Sequence, residues 1–113
     1  MKHIAKAQRI VRTGDATTAY EYKIGSSIIN AAVIDIAGRY PTDGWARNMK
    51  STSLIYIISG EGSIVVDGLE KVLHTGDQLL IEVGERYMFE GVLQILYGAT
   101  PAWTPEQSEH VHD

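Results

Sequence analysis

Apolar runs and glycine-rich breaks alternate along most of the chain. Ile28–Ile36 is rich in β-branched residues and stops at Gly38 and Pro41. Ser53–Ser59, Ser63–Val66, Lys71–Leu73, Gln78–Ile81, Tyr87–Glu90 and Leu93–Tyr97 follow. Between them stand Gly60, Gly62, Asp67-Gly68, Gly76-Asp77, Gly84 and Gly91. Short runs at this spacing, bounded by turn formers, predict an all-β sandwich or barrel. Asp67-Gly68 between two apolar segments predicts a tight hairpin, because such a turn needs positive φ. Helix signals are confined to Thr104-Pro105-Glu106-Gln107, where Thr104 is placed to cap and Pro105 suits the first helical position. In residues 1–20, Ile4, Ile10 and Val11 predict a strand or arm that joins the barrel or a partner subunit. Residues 108–113 are polar and read as a flexible tail.

Composition narrows the function classes. At 113 residues the chain is long enough for one domain, 1–113, and too short for two cores. A net charge of -4 without any basic run argues against nucleic acid or an anionic membrane as partner. The absence of cysteine excludes disulfides, thiolate nucleophiles and cysteine-built zinc clusters. No apolar run reaches the ~20 residues of a membrane helix, and no charged-then-apolar leader opens the chain, so the expected location is cytoplasmic.

Two segments carry a resemblance. The first is Ser59-Gly60-Glu61-Gly62-Ser63-Ile64-Val65-Val66-Asp67-Gly68, and the second is Gly76-Asp77-Gln78-Leu79-Leu80-Ile81-Glu82-Val83-Gly84-Glu85-Arg86-Tyr87. Together they resemble the signature segments of the cupin family, small antiparallel β-barrels (double-stranded β-helix, or jelly roll) that usually hold a metal on three histidines and a glutamate. Gly38-Arg39-Tyr40-Pro41, Tyr87-Met88-Phe89-Glu90-Gly91 and Thr100-Pro101-Ala102-Trp103-Thr104-Pro105-Glu106-Gln107 are similar to a subgroup of small cupin-like proteins. The resemblance spans about residues 38–100 and implies the cupin-like barrel. In its register Tyr87 stands where the last histidine ligand belongs, and Ser53 where the glutamate belongs. The histidine pair falls on Ala46 and Asn48, or one residue later on Arg47 and Met49. Asn48, Ser53 and Tyr87 are neutral hydrogen-bonding groups, whereas divalent transition metals prefer imidazole, thiolate or carboxylate. The reading is therefore of a barrel with no metal and no cofactor.

Strand alternation then sorts the faces. If Tyr87 points inward, Phe89 does too and Met88 points out; likewise Ser53, Ile55 and Ile57 face in, with Leu54, Tyr56 and Ile58 on the other side. Asn48, Ser53, Tyr87 and Phe89 are thus the candidate ligand-binding residues, suited to a small polar or carbohydrate-like molecule. An inward tyrosine is more ordinarily a core residue with one satisfied hydroxyl. The alternative is a metal-independent isomerase, epimerase or lyase using Tyr87 as acid/base and Asn48 to orient the substrate, which calls for a cationic neighbour, such as Arg47 or Arg86, or for burial arranged to help it. Arg39 and Arg47 suit a carboxylate or phosphate, and Trp45 and Trp103 suit a flat ligand; as solvated loop residues and barrel plugs they need neither role. The outward apolar strip predicts a homodimer. His110-Val111-His112 has the His-x-His spacing of a metal site but lies in the polar tail, where it reads as an adventitious surface contact.

Overall fold

Residues 1–112 are described in the computed structural model, and they form one curled antiparallel sheet of nine strands. The strands are β1 (Ile10–Thr13), β2 (Thr17–Glu21), β3 (Asn30–Tyr40), β4 (Trp45–Asn48), β5 (Thr52–Val66), β6 (Leu69–His74), β7 (Gln78–Ile81), β8 (Tyr87–Thr100) and β9 (Ser108–Val111). β8 is the spine: it pairs with β3 along one edge and with β5 along the other. β1 and β2 extend the sheet beyond β3, β6 and β7 pair with the two halves of β5, and β9 pairs with β4. The result is the expected all-β, cupin-like roll. No helix among the described residues is long and apolar enough to cross a membrane.

Two glycine signals behave differently. Asp67-Gly68 is a two-residue hairpin, with φ of 45° and 85° and with Val66 paired to Leu69. Gly60, Gly62 and Gly91, expected as breaks between strands, instead lie inside the unbroken β5 and β8. Gly38, Gly91 and Gly62 are cross-strand partners in a row over β3, β8 and β5. A Cβ on Gly91, where φ is 134°, would lie 2.5 Å from both the Glu61 carbonyl oxygen and the Gly62 Cα. The strands therefore approach at backbone distance along this row. A strand-interior glycine marks a bend here, where the sheet folds over into a roll.

The alternation inferred from sequence holds in β5 up to Ile57, with Ser53, Ile55 and Ile57 buried and Leu54 and Tyr56 exposed. Ile57 then pairs with Ile95 and Ser59 with Gln94, which leaves Ile58 as the extra residue of a bulge. A one-residue bulge inverts the parity of everything after it, so Ile64 is buried. Ile36, Ile55, Ile57, Ile64, Phe89 and Ile95 form the heart of the core, none more than 2% exposed.

At the ends, Ile10 and Val11 lie in β1, within the same sheet as β2, while Ile4 precedes a short 3-10 turn over Lys6–Gln8. Pro105–Gln107 form a second 3-10 turn preceded by Thr104, whose side chain makes no capping hydrogen bond. Ser108–Val111, polar enough to read as tail, lie along β4 as β9. Asp113, the last residue of that expected tail, is outside the described residues.

Candidate functional site

The roll is not filled. A cavity of ≈ 600 Å³ opens between the inner faces of β1–β3 and β8. Its buried end is made by Ile36, Phe89 and Ile95 with three tyrosines, Tyr40, Tyr87 and Tyr97, and its rim carries the exposed Arg12 and Lys23 and the half-buried Trp103. Asn30 pins Trp103 at the rim, donating from Nδ2 to its carbonyl (2.9 Å) and accepting its N–H on Oδ1 (2.7 Å). An apolar chamber with a few convergent polar groups is the usual form of a small-molecule site.

The polar groups converge on one oxygen. Ser53 Oγ donates to the Tyr97 hydroxyl at 2.7 Å, and the Tyr87 hydroxyl is hydrogen-bonded to it as well. The two tyrosines lie ten positions apart on β8, on either side of Gly91, and the curl of the sheet brings their hydroxyls together. Burial pushes the Tyr87 hydroxyl well above its ordinary value of 10.0, and the neighbouring Tyr97 and Tyr40 hydroxyls and the hydrogen bond to Tyr97 push it further. Burial also raises Tyr97, but the hydrogen bonds from Ser53 and Tyr87 pull it back. Tyr40 is raised by burial and then by Tyr97. All three are protonated at neutral pH. With two donors on its oxygen, Tyr97 has its own O–H left for whatever occupies the cavity.

The candidates named from sequence divide accordingly. Tyr87 and Phe89 line the cavity, their rings edge to face with centroids 5.8 Å apart. Ser53 sits one hydrogen bond behind, through Tyr97. Asn48 is buried elsewhere: its Oδ1 accepts the N–H groups of Lys50 (2.8 Å) and Ser51 (2.7 Å), and its Nδ2 donates to Gln107 Oε1 (3.1 Å). Ser51 Oγ donates to the same Gln107 oxygen at 2.8 Å, so Asn48 ties the β4–β5 turn to the C-terminal segment. Asn48→Ala leaves those buried groups without partners and is expected to cost about 1–3 kcal/mol of stability, read as a lower urea midpoint at unchanged slope. A midpoint that does not move would contradict this anchoring role.

The metal that the fold resemblance implies does not fit these residues. Asn48 is committed to the backbone and Gln107, Ser53 to Tyr97, and Tyr87 holds its proton. Neutral hydroxyls and an engaged amide are poor ligands for a divalent transition ion.

Other candidates have structural employment. Arg39 donates to the carbonyls of Pro41 (2.7 Å) and Gly44 (2.9 Å) and lies 5.9 Å over the Trp45 ring. Arg47 pairs with Glu109 at 3.1 Å. Neither Arg47 nor Arg86 is among the influences on Tyr87, all of which raise it. Tyr97 was not singled out from sequence, yet its signal was present: on a strand that runs unbroken from Tyr87, every second residue shares its face, and Tyr97 is one of them. The expected break at Gly91 hid that parity.

Neither a protein-family model nor any curated protein sequence matches the chain. Solved structures do match in fold. The nucleoside dehydratase Pac13, studied in Streptomyces forms that include tyrosine-to-phenylalanine variants with uridine, aligns with a TM-score of 0.89 at 12% identity over 99% of this chain and 92% of that one. The polyketide cyclase RemF of Streptomyces resistomycificus aligns with a TM-score of 0.75 at 15% identity, over 98% of this chain and 85% of that one. A variant of Bacillus subtilis oxalate decarboxylase aligns with a TM-score of 0.80 at 12% identity, over 95% of this chain and 31% of that larger one. At these identities the likeness is one of fold, and the fold is a cupin-like barrel.

Proposed function

We propose that the protein is a metal-independent enzyme of the lyase or isomerase kind, acting on a small hydroxylated molecule, with the Tyr87–Tyr97 pair as its acid/base group. The observation that carries this reading is the convergence of Ser53 and Tyr87 on the Tyr97 hydroxyl at the buried end of an open, mainly apolar cavity. Donors aimed at one oxygen stabilise charge that develops there, and a dry wall strengthens the effect. In the elimination of water from a β-hydroxy carbonyl compound, the Tyr97 O–H protonates the departing hydroxyl as its C–O bond breaks. Ser53 and Tyr87 stabilise the phenolate left behind. The α-proton goes to a base, and among the described lining residues Glu21 carries the carboxylate for that step, ion-paired with Arg12 at 2.7 Å. Water and an unsaturated product leave, and solvent exchange returns the proton from Glu21 to Tyr97.

The fold likeness to a nucleoside dehydratase and a polyketide cyclase supports reading the cavity as a reaction chamber. The test is proton NMR of the protein with oxidised nucleosides carrying a carbonyl β to a hydroxyl and with simple aldoses, uridine serving as the control that lacks the carbonyl. Appearance of a vinylic proton, dependent on Tyr97, is the expected result. A second reading, a non-reactive binder of the same molecules, is favoured by the raised pKa values of all three tyrosines. Saturable binding by calorimetry with no product from any of these compounds would select it.

The reading includes a homodimer. Leu54, Tyr56, Leu80 and Leu96 are neighbours across β5, β7 and β8, each at least 40% exposed. No other part of the described chain covers them. Such a contiguous apolar patch suits a two-fold interface with a second copy. Sedimentation equilibrium is expected to give a dimer at micromolar concentration, converted to monomer by Leu54→Glu with Leu96→Glu. A wild-type monomer at that concentration would rule the interface out.

A further inference from the structure

Away from the cavity, a cluster of ligating side chains stands on the surface where β9 meets the turn before β4. Ala46 pairs with His110 and Trp45 with Val111, which brings the end of β9 beside Asp43. His112, two residues beyond His110, stacks edge to face with it, ring centroids 4.4 Å apart. His110 Nε2 lies 3.7 Å from Asp43 Oδ1, and His112 Nδ1 lies 3.8 Å from Asp43 Oδ2. One ligand atom from each of the three residues falls within 4.8 Å of the other two.

Two further features hold this arrangement together. Arg39 fixes the turn through the Pro41 and Gly44 carbonyls, so Asp43 is presented from an ordered backbone. Gly44, at φ 67°, leaves room for the end of β9: a Cβ there would run into the Val111 carbonyl oxygen and would lie 3.0 Å from His110 Nε2 and 3.1 Å from the His112 Cα. A side chain at position 44 would thus push the end of β9 off the turn, and His110 with it.

We propose that Asp43, His110 and His112 bind one divalent transition ion of the zinc type, which ties β9 to the turn before β4. A tetrahedral ion with ligand bonds of about 2.0–2.2 Å holds its ligand atoms roughly 3.4 Å apart. The two His–Asp separations exceed that by a few tenths of an ångström, within reach of small side-chain rotations. Two imidazoles and a carboxylate prefer zinc and its neighbours to magnesium or calcium, which take all-oxygen sites. A water completes the set, and the ion takes the place of the proton that His110 Nε2 donates to the Asp43 carbonyl at 2.6 Å. This surface site is separate from the chemistry in the cavity.

The experiment is equilibrium dialysis of the full chain against zinc chloride, with thermal unfolding at each zinc concentration. One equivalent is expected to bind, and the unfolding temperature to rise with free zinc because the ion binds only the folded arrangement; excess magnesium does neither. His112→Gln, at a side chain 78% exposed, is expected to fold normally and lose affinity by roughly tenfold or more. Asp43→Asn behaves likewise, and His74→Gln, at the separate His74–Asp77 pair, changes nothing. Zinc affinity within about twofold of wild type in both His112→Gln and Asp43→Asn would overturn the proposal, as would binding at half an equivalent or none.

Discussion

Tyr97→Phe is expected to lower turnover by about 10²–10⁴-fold, the range lost when a positioned general acid is removed, while KM changes little. The ring stays and the wall of the cavity keeps its shape, so only the hydroxyl that receives Ser53 and Tyr87 is gone. Tyr87→Phe is expected to have a smaller effect, because Ser53 still donates to Tyr97. The double variant should be no slower than Tyr97→Phe alone, since residues acting as one unit are not additive. If the two tyrosines act independently, the losses will instead multiply. For a binder the same changes would weaken affinity by roughly tenfold or less, matching the ~0.5–1.5 kcal/mol of one hydrogen bond. If neither binding nor turnover of any of the compounds responds to either variant, the tyrosines are core and the site lies elsewhere. Glu21→Gln separates the two halves of the elimination. It should depress turnover without moving the Tyr87–Tyr97 hydrogen bond.

Gly91→Ala is expected to be among the most damaging small substitutions in the fold. Alanine at φ 134° is strained, and its methyl group would press on the Glu61 carbonyl and the Gly62 Cα. Backbone strain of about 1–3 kcal/mol adds to overpacking of about 1–3 kcal/mol. The expected loss is therefore roughly 2–6 kcal/mol, a large share of the ~5–15 kcal/mol by which such a domain is stable. Gly68→Ala is the control: φ is 85° but nothing lies within 4 Å of the new methyl, so only the backbone cost of ~1 kcal/mol remains. Urea unfolding of the two variants compares them directly. Equal losses would show that β5 and β8 can part at the bend, and that the glycine row is not what lets the sheet fold over. Because Gly91 lies on β8 between Tyr87 and Tyr97, any surviving Gly91→Ala protein is also expected to lose ligand binding.

Fold class and much of the core are legible in local sequence pattern. Alternating apolar positions are a local property of strands, so Ser53, Ile55, Ile57 and Phe89 were assigned inward from their parity, and Asp67-Gly68 was legible as a hairpin because positive φ is demanded locally. The neutral character of Asn48, Ser53 and Tyr87 was also plain from composition alone. What the tertiary structure decided was where distant residues meet. Gly60, Gly62 and Gly91 look the same in sequence whether they end a strand or bend one; only the pairing of Gly38, Gly91 and Gly62 across three strands distinguishes the two. Tyr87 and Tyr97, which meet at the end of the cavity, lie on either side of that row. Asn48 was drawn away from the cavity by hydrogen bonds to Ser51 and to Gln107, fifty-nine residues on. His110 and His112, polar enough to pass for tail, were brought to Asp43 by a strand pairing that no local pattern encodes. Periodicity records the face a side chain takes, while long-range register chooses its neighbours, and chemistry depends on the neighbours.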